Sequence, residues 1–178
     1  MKAWVLWVLV LVWPALASDF DPDTGLRIHH YTQPTPDSVP GGTRIDVNQA
    51  YQLWQQGAQF IDVLSISQGR YDEFDGTWPE HPERFTVPGA VWLPNVGFGR
   101  PQPDMQAYLR HNLVNQIDTN SPVVVFCIAD CWMGWNATQH VAAMGYQQVY
   151  WFAEGTDAWS AAGYDLSLVQ PVPVPVED

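Results

Sequence analysis

Residues 123–132 have the sequence Val-Val-Val-Phe-Cys-Ile-Ala-Asp-Cys-Trp, and they are the clearest indication in the sequence of how the chain folds. The apolar, mostly β-branched run before Cys127 is typical of a strand that is buried on both faces, and it predicts a strand over 123–126. Such strands belong to parallel sheets that helices cover, and functional groups gather at their carboxyl ends. Cys127 lies at that end, and Cys131 follows one loop later, just before a helical pattern.

The same alternation of strands and helices extends over most of the chain and predicts an α/β fold, with a central parallel sheet flanked by helices on both faces. The first helix is expected to begin at Asn48 as N-cap and to end at Gly57. Further elements follow in order: strands at 44–47, 59–64, 91–93 and 148–152, and helices at 104–116, 134–144 and 158–162. Residues 65–88 form a long insertion, which predicts a functional or mobile loop.

The ends of the chain predict export. Lys2 is followed by an apolar run to Trp13 and by small residues at Ala15 and Ala17, which predicts a signal peptide over 1–17. The run is shorter than the roughly 20 residues that span a bilayer, so no membrane span is expected after cleavage, and an uncleaved anchor is the alternative. Residues 18–42 predict an extended arm, 43–166 a single folded domain and 167–178 a Pro-rich disordered tail.

Charge excludes some classes of function. The formal net charge is −12, and the only lysine, Lys2, lies in the predicted signal peptide. Nucleic acid and anionic membrane surfaces would therefore repel the chain. A mature chain without lysine also has no side-chain amine for Schiff-base chemistry.

The two cysteines and their neighbours are the candidate site. Cys127 and Cys131 are the predicted catalytic residues, and an exported chain permits a disulfide between them. Two supporting carboxylates are predicted at the carboxyl ends of other strands, Asp62 and Glu154. The loop residues expected to surround a substrate are Ile128, Ala129, Asp130, Trp132 and Met133.

Neither a metal site nor a bound cofactor is predicted. The two cysteines, two methionines and His140 are soft ligands of the kind that copper prefers. His140, however, falls within a helical pattern, where a surface or packed histidine is the commoner outcome. Arg70 and Arg100, in the long loops, are the cations that could serve an anion at the site.

Several segments resemble a rhodanese-like domain, and together they cover roughly residues 43–163. One is the strand that ends at Cys127, which is similar to the strand before the persulfide-forming cysteine of that family. The others are Phe-Ile-Asp-Val at 60–63, Val-Pro-Gly-Ala-Val-Trp-Leu-Pro at 87–94, Gly-Tyr-Gln-Gln-Val at 145–149 and Gly-Thr-Asp-Ala-Trp at 155–159.

Three stretches narrow the resemblance to the PQQ-dependent catabolism-associated CXXCW motif proteins, although three residues separate the cysteines here. These stretches are GAVWLPNVGFG, CIADCWMGWNA and GTDAW. The resemblance implies a periplasmic protein whose partner is a PQQ-dependent dehydrogenase or a periplasmic redox protein.

The loop itself departs from the ordinary rhodanese pattern, Cys-x-x-Gly-x-Arg. Asp130 takes the place of the glycine, and Trp132 or Met133 takes the place of the arginine. The negative charge of Asp130 is expected to raise the pKa of the neighbouring thiol, which argues against ordinary thiosulfate sulfurtransferase activity.

Three functions remain open from the sequence. The first is thiol–disulfide chemistry, because cysteines four residues apart at a tight turn can approach within the Cα separation of roughly 4.4–6.8 Å that a disulfide needs. The second is sulfur handling, in which Cys127 carries a persulfide and Cys131 resolves it. The third is a non-catalytic accessory module in which a permanent disulfide supports the binding of a ligand or of a dehydrogenase.

Overall fold

The structure, a computed structural model, describes residues 18–66 and 70–176. The predicted signal peptide and the last two residues of the predicted tail lie outside this range. The strands are β1 (Thr43–Ile45), β2 (Gln59–Asp62), β3 (Arg84–Thr86), β4 (Val91–Trp92), β5 (Val123–Phe126), β6 (Val149–Phe152) and β7 (Ser167–Val169). The helices are α1 (Val47–Gln55), α2 (Pro103–Val114), α3 (Trp132–Ala143) and α4 (Gly155–Ala161).

Five strands form one parallel sheet in the order β1-β6-β5-β2-β4, which confirms the predicted α/β fold. The central strand β5 is buried along its whole length, and its side chains alternate between two cores. Val123 and Val125 pack with α2 and α3, whereas Val124 and Phe126 pack with α1 and α4. Helices therefore cover both faces, as the continuous apolar run of β5 requires.

The predicted strand at 123–126 has the same bounds in the structure, but every helix starts earlier than predicted, by one residue in α2, two in α1 and α3, and three in α4, which begins at Gly155. Helix α1 begins after Asp46, whose carboxylate accepts the backbone N–H of Gln49 at 2.9 Å while the Gln49 side chain accepts the N–H of Asp46. This capping box fixes the start, so the prediction that Asn48 is the N-cap is wrong. Helix α3 begins at Trp132, two residues before its predicted start, with Cys131 as its N-cap.

The C-terminal segment is ordered through Val176, in contrast to the predicted disordered tail. Strand β7 pairs antiparallel with β3, a short strand within the long insertion that the sequence did not reveal. Beyond it, the backbone N–H of Val172 donates to Trp92 and that of Val174 donates to Gly76. The valines that alternate with the prolines thus bind the domain, and Val174 is buried.

The residues before β1 lie against the folded domain, and we call residues 18–42 the arm. Leu26 and Val39 are buried with Trp135 and Trp151 in a cluster at the edge of the main cores. The arm folds back at a turn over 22–24, where Phe20 pairs antiparallel with Arg27, and it then crosses the sheet edge at which β5 ends. Within the described part of the chain, no helix has the length and apolarity needed to cross a membrane.

Candidate active site

The two cysteines are joined by a disulfide at the carboxyl edge of the sheet. Cys127 directly follows β5, Cys131 is the N-cap of α3, and their Cα atoms are 6.5 Å apart. This separation lies inside the range expected from the spacing. Both residues are buried, with 2% of Cys127 and 7% of Cys131 exposed, so the disulfide is covered in this conformation.

The carbonyl group of Cys127 is held by a cluster of donors. The backbone N–H of Thr156 donates to it at 3.0 Å, the Thr156 hydroxyl at 3.4 Å and the Nη2 atom of Arg84 at 3.3 Å. Gly155 makes this approach possible, because a Cβ atom there would lie 2.2 Å from the Cys127 oxygen and the residue has a φ of +53°. The Gly-Thr corner therefore fixes the point at which the strand turns into the loop.

Arg84 also connects the loop to Asp62, one of the two predicted supporting carboxylates. Its Nε atom donates to Oδ2 of Asp62 at 2.7 Å, and both side chains are buried. The Thr86 hydroxyl donates to the same oxygen at 2.7 Å, and the Leu64 amide donates to Oδ1 at 3.0 Å. Complete burial raises the pKa of Asp62, and the contact with Arg84 opposes this effect.

Two amides of the loop are already engaged by groups of the protein. The backbone N–H of Ala129 donates to the Asp157 carboxylate at 2.8 Å, and that of Trp132 donates to the carbonyl of Tyr31 at 2.8 Å. Amides of such a turn would otherwise be free to stabilise a thiolate or a bound anion. The oxidised loop is therefore not an open anion cradle.

Asp130 adopts the conformation that a glycine would favour. Its φ is +53°, in the left-handed region, and the residue is exposed. Aspartate tolerates this region better than most residues, which explains how the loop turns without the glycine of the ordinary pattern. Ile128 and Ala129, on the N-terminal side of this turn, are half-buried.

Trp132 and Met133 point into different clusters. Met133 packs in the same core as the two cysteines, whereas Trp132 packs with Trp135 and with residues of the arm. The Arg27 guanidinium lies 4.7 Å from the centre of the Trp132 ring. The indole Nε1 of Trp132 is buried, and it has no hydrogen-bond partner within the described part of the chain.

Glu154 lies at the carboxyl end of β6 but is not bonded to the cysteine loop. Its Oε1 atom forms an ion pair with Nη2 of Arg44 at 2.7 Å. Of the two arginines considered from sequence, Arg100 pairs with Asp21 of the arm, and Arg70 lines a separate cavity beside Tyr71. The arginine that contacts the Cys127 carbonyl is Arg84, which the sequence did not single out.

Sequence reasoning also missed Tyr31, Thr156 and Asp157 as contacts of the loop. The Gly-Thr-Asp corner carried a signal, because it was one of the segments that resembled the rhodanese-like family. Arg84 carried none, since it lies in the long insertion. Among the described residues no cluster of three or more metal-binding side chains is found, and His140 bonds through Nε2 to the Phe98 carbonyl at 3.1 Å.

Several solved structures are similar to this chain, and the three described next are each less than 20% identical to it. The polysulfide-sulfur transferase homodimer from Wolinella succinogenes is 19% identical over 71% of this chain and 79% of that chain, with a TM-score of 0.46. The rhodanese-like domain of an Anabaena protein is 16% identical over 76% and 87%, with a TM-score of 0.48. Thiosulfate sulfurtransferase from Pseudomonas aeruginosa is 17% identical over 77% of this chain and 22% of that chain, with a TM-score of 0.48.

No curated protein matches the chain. The model of the rhodanese-like domain family matches residues 46–162, a range that runs from the N-cap of α1 to the end of α4 and includes the cysteine loop. This range is well over half of the 178 residues. The chain therefore belongs to the rhodanese-like domain family.

Proposed function

We propose that this chain is an exported rhodanese-like protein whose two cysteines perform thiol–disulfide or persulfide redox chemistry. The observation that carries the proposal is the Cys127–Cys131 disulfide, formed at the end of β5 where the family resemblance places a persulfide-forming cysteine. A second cysteine within bonding distance gives that position a partner that can take over or release the sulfur.

Two redox reactions are proposed for the cysteine pair, thiol–disulfide exchange and persulfide formation. In thiol–disulfide exchange, the disulfide accepts two electrons and two protons from a dithiol, which becomes a disulfide while Cys127 and Cys131 become thiols. In the persulfide form, Cys127 takes a sulfane sulfur from a donor such as thiosulfate and releases sulfite. The Cys131 thiol then attacks the Cys127 sulfur, so that hydrogen sulfide leaves and the disulfide forms. A reducing partner restores the two thiols.

Ordinary sulfur transfer from thiosulfate to an acceptor fits the loop less well. Amides of Ala129 and Trp132 that could stabilise an anionic persulfide are bonded to Asp157 and Tyr31. The loop also ends in Cys131 and Trp132 and lacks the arginine of the ordinary pattern. The guanidinium of Arg84 is near the loop, but it donates to the Cys127 carbonyl. We therefore favour redox chemistry over ordinary sulfurtransferase activity as the function of the loop.

The cellular setting is part of the proposal. The apolar start of the sequence supports export, and the resemblance to the CXXCW motif proteins supports a periplasmic role in PQQ-dependent alcohol oxidation. A quinoprotein dehydrogenase or another periplasmic redox protein is the proposed partner. The burial of both cysteines favours one other function, a non-catalytic accessory module that binds such a dehydrogenase.

Two serine variants test the chemistry. With thiosulfate and a dithiol reductant, the reduced protein should release sulfide, and Cys127→Ser should abolish this release because no persulfide can form. Cys131→Ser that has been reduced and then freed of the reductant should still form the persulfide with thiosulfate but lose internal resolution, so the added sulfur should remain on Cys127 and be visible by mass spectrometry of the intact protein. Equal turnover in both variants and in the parent protein would rule out the cysteines as the reacting groups and leave the accessory function.

A further inference from the structure

The arm is paired with the cysteine loop through an isolated β-bridge. Thr32 lies opposite Cys131 in an antiparallel bridge. On either side of this pair, the backbone N–H of Gln33 donates to the Asp130 carbonyl at 3.0 Å, and the N–H of Trp132 donates to the Tyr31 carbonyl at 2.8 Å. The loop that carries the disulfide is thus closed by a segment that lies about 100 residues before it in the sequence.

The arm is fixed firmly at a first anchor before this pairing. The buried Asn136 side chain accepts the backbone N–H of Arg27 at 3.0 Å and donates to the Arg27 carbonyl at 2.9 Å. The Arg27 guanidinium packs over Trp132 and pairs with Asp19 at 3.1 Å. Phe20 adds an edge-to-face contact with Trp132 at 5.4 Å.

A second anchor follows the pairing. Val39 is buried, and the indole Nε1 of Trp135 donates to the Ser38 carbonyl at 3.0 Å. Between the anchors lies a segment that we call the strap, residues 30–37. Its residues are exposed or half-buried, and it begins at His30, which has a φ of +51°.

The strap is held at both ends and crosses the loop that holds the disulfide. Within it, Tyr31 packs edge-to-face on Phe98 at 5.4 Å and accepts the backbone N–H of Gly99 at 3.2 Å. A thiolate that opens a disulfide must reach one of its sulfur atoms, and access controls the rate. Cys127 and Cys131 are buried in the closed conformation. A local opening would have to break the two backbone bonds on either side of Thr32. It would also have to release the contacts of Tyr31 with Gly99 and Phe98 and the ion pair between Asp37 and Arg44.

We propose that the strap gates the disulfide, so that a redox partner reacts with it only after residues 30–37 lift from the cysteine loop. The inference rests on the proposed redox function and adds its regulation. Opening breaks the Gln33–Asp130 and Trp132–Tyr31 backbone bonds while the anchors at Arg27 and Val39 hold. The partner is then a dithiol. One of its thiolates enters beside Thr32 and attacks the disulfide to form a mixed disulfide, and its second thiol then displaces the protein sulfur, so that the partner leaves as a disulfide and Cys127 and Cys131 are left as thiols.

A matched pair of variants at Gln33 tests the gate. Gln33→Pro removes the N–H that donates to Asp130, and Gln33→Ala keeps it; the side chain is exposed in either case. The two oxidised variants are treated with dithiothreitol under native conditions, and the new thiols are trapped over time. One hydrogen bond corresponds to a change of about 2- to 10-fold in the open population, so Gln33→Pro should be reduced faster by that factor.

Two further measurements keep the result specific. Reduction of both variants should depend only weakly on urea well below the unfolding midpoint, because a local opening exposes little surface, and this excludes global unfolding as the route to faster reduction. Hydrogen exchange in the parent protein should show the Gln33 and Trp132 amides exchanging together and before the buried amides of β5. Exchange of these two amides only with β5 would show that the strap does not open on its own and would overturn the gate.

The reduction rates separate failure of the gate from failure of the function. If Gln33→Pro and Gln33→Ala are reduced natively at the same rate, the gate is wrong and the redox function stands. If neither variant is reduced until it is unfolded, the disulfide is structural, and both proposals are overturned.

Discussion

Replacing Arg84 with methionine should lower the free energy of unfolding by about 3–5 kcal/mol, the largest effect that we expect from a single substitution. The change removes the cation paired with the fully buried Asp62 and leaves this carboxylate buried without its counter-charge. It also removes one donor from the Cys127 carbonyl. Urea denaturation of the oxidised protein at pH 7 measures the loss.

The controls for this prediction isolate the buried charge. Thr86→Val removes one hydrogen bond to the same carboxylate but leaves Arg84 in place, so it should cost about 1–3 kcal/mol, less than the loss of the cation. The double variant Asp62→Leu with Arg84→Met removes both charges and should be more stable than Arg84→Met alone. A double variant as unstable as the single one would contradict the account.

The loss of stability caused by Arg84→Met should depend on pH in a predictable direction. Without the guanidinium, burial raises the pKa of Asp62 further above its value in the unfolded chain. The folded protein then binds the proton more tightly, so stability falls as the pH rises through this window. The deficit relative to the parent protein should therefore be larger at pH 7 than at pH 5.

Asn136→Ala is the second substitution with a large expected effect, a loss of about 2–4 kcal/mol in the free energy of unfolding. Its side chain is fully buried and makes three hydrogen bonds, two with the backbone of Arg27 and one with the Gly97 carbonyl at 2.9 Å. Truncation leaves these buried groups without partners, each at a cost of about 1–3 kcal/mol before relaxation. Urea denaturation measures the total.

A control on the same helix separates anchoring of the arm from burial alone. Thr138 is equally buried, but its hydroxyl donates only to the Gly134 carbonyl within α3, at 2.8 Å. Thr138→Val should therefore cost about 0.5–1.5 kcal/mol and leave the arm in place. Asn136→Ala should in addition make the arm sensitive to proteolysis near Arg27. Resistance equal to that of Thr138→Val would show that Asn136 does not anchor the arm.

Much of the fold could be predicted because its signals are local. The apolar run at 123–126 defines the central strand, and the cysteine that follows it lies at the carboxyl edge of the sheet. The C-terminal segment could not be predicted in the same way. Its prolines suggested disorder, but Val174 is buried, and Val172 packs partly buried, in the core that contains Trp92 and Trp78.

The environment of the site was harder to predict because it depends on contacts distant in sequence. Arg84 lies 22 residues from Asp62, in a three-residue strand with no pattern of its own. The arm binds the loop through backbone groups of Tyr31 and Gln33, and backbone hydrogen bonds leave no signature in side-chain identity. The loop residues were found from sequence, whereas the groups that hold them were not.

If the proposed function is right, the Cys127–Cys131 disulfide opens and closes in the folded protein. The most direct test is equilibration of the native protein in a series of glutathione redox buffers, followed by thiol trapping and a count of free thiols by mass spectrometry. We predict a two-electron transition between zero and two free thiols at a potential above about −300 mV, where exchangeable disulfides lie. A disulfide that stays closed across the whole series until the protein unfolds, or two thiols that remain free in air, would contradict the account.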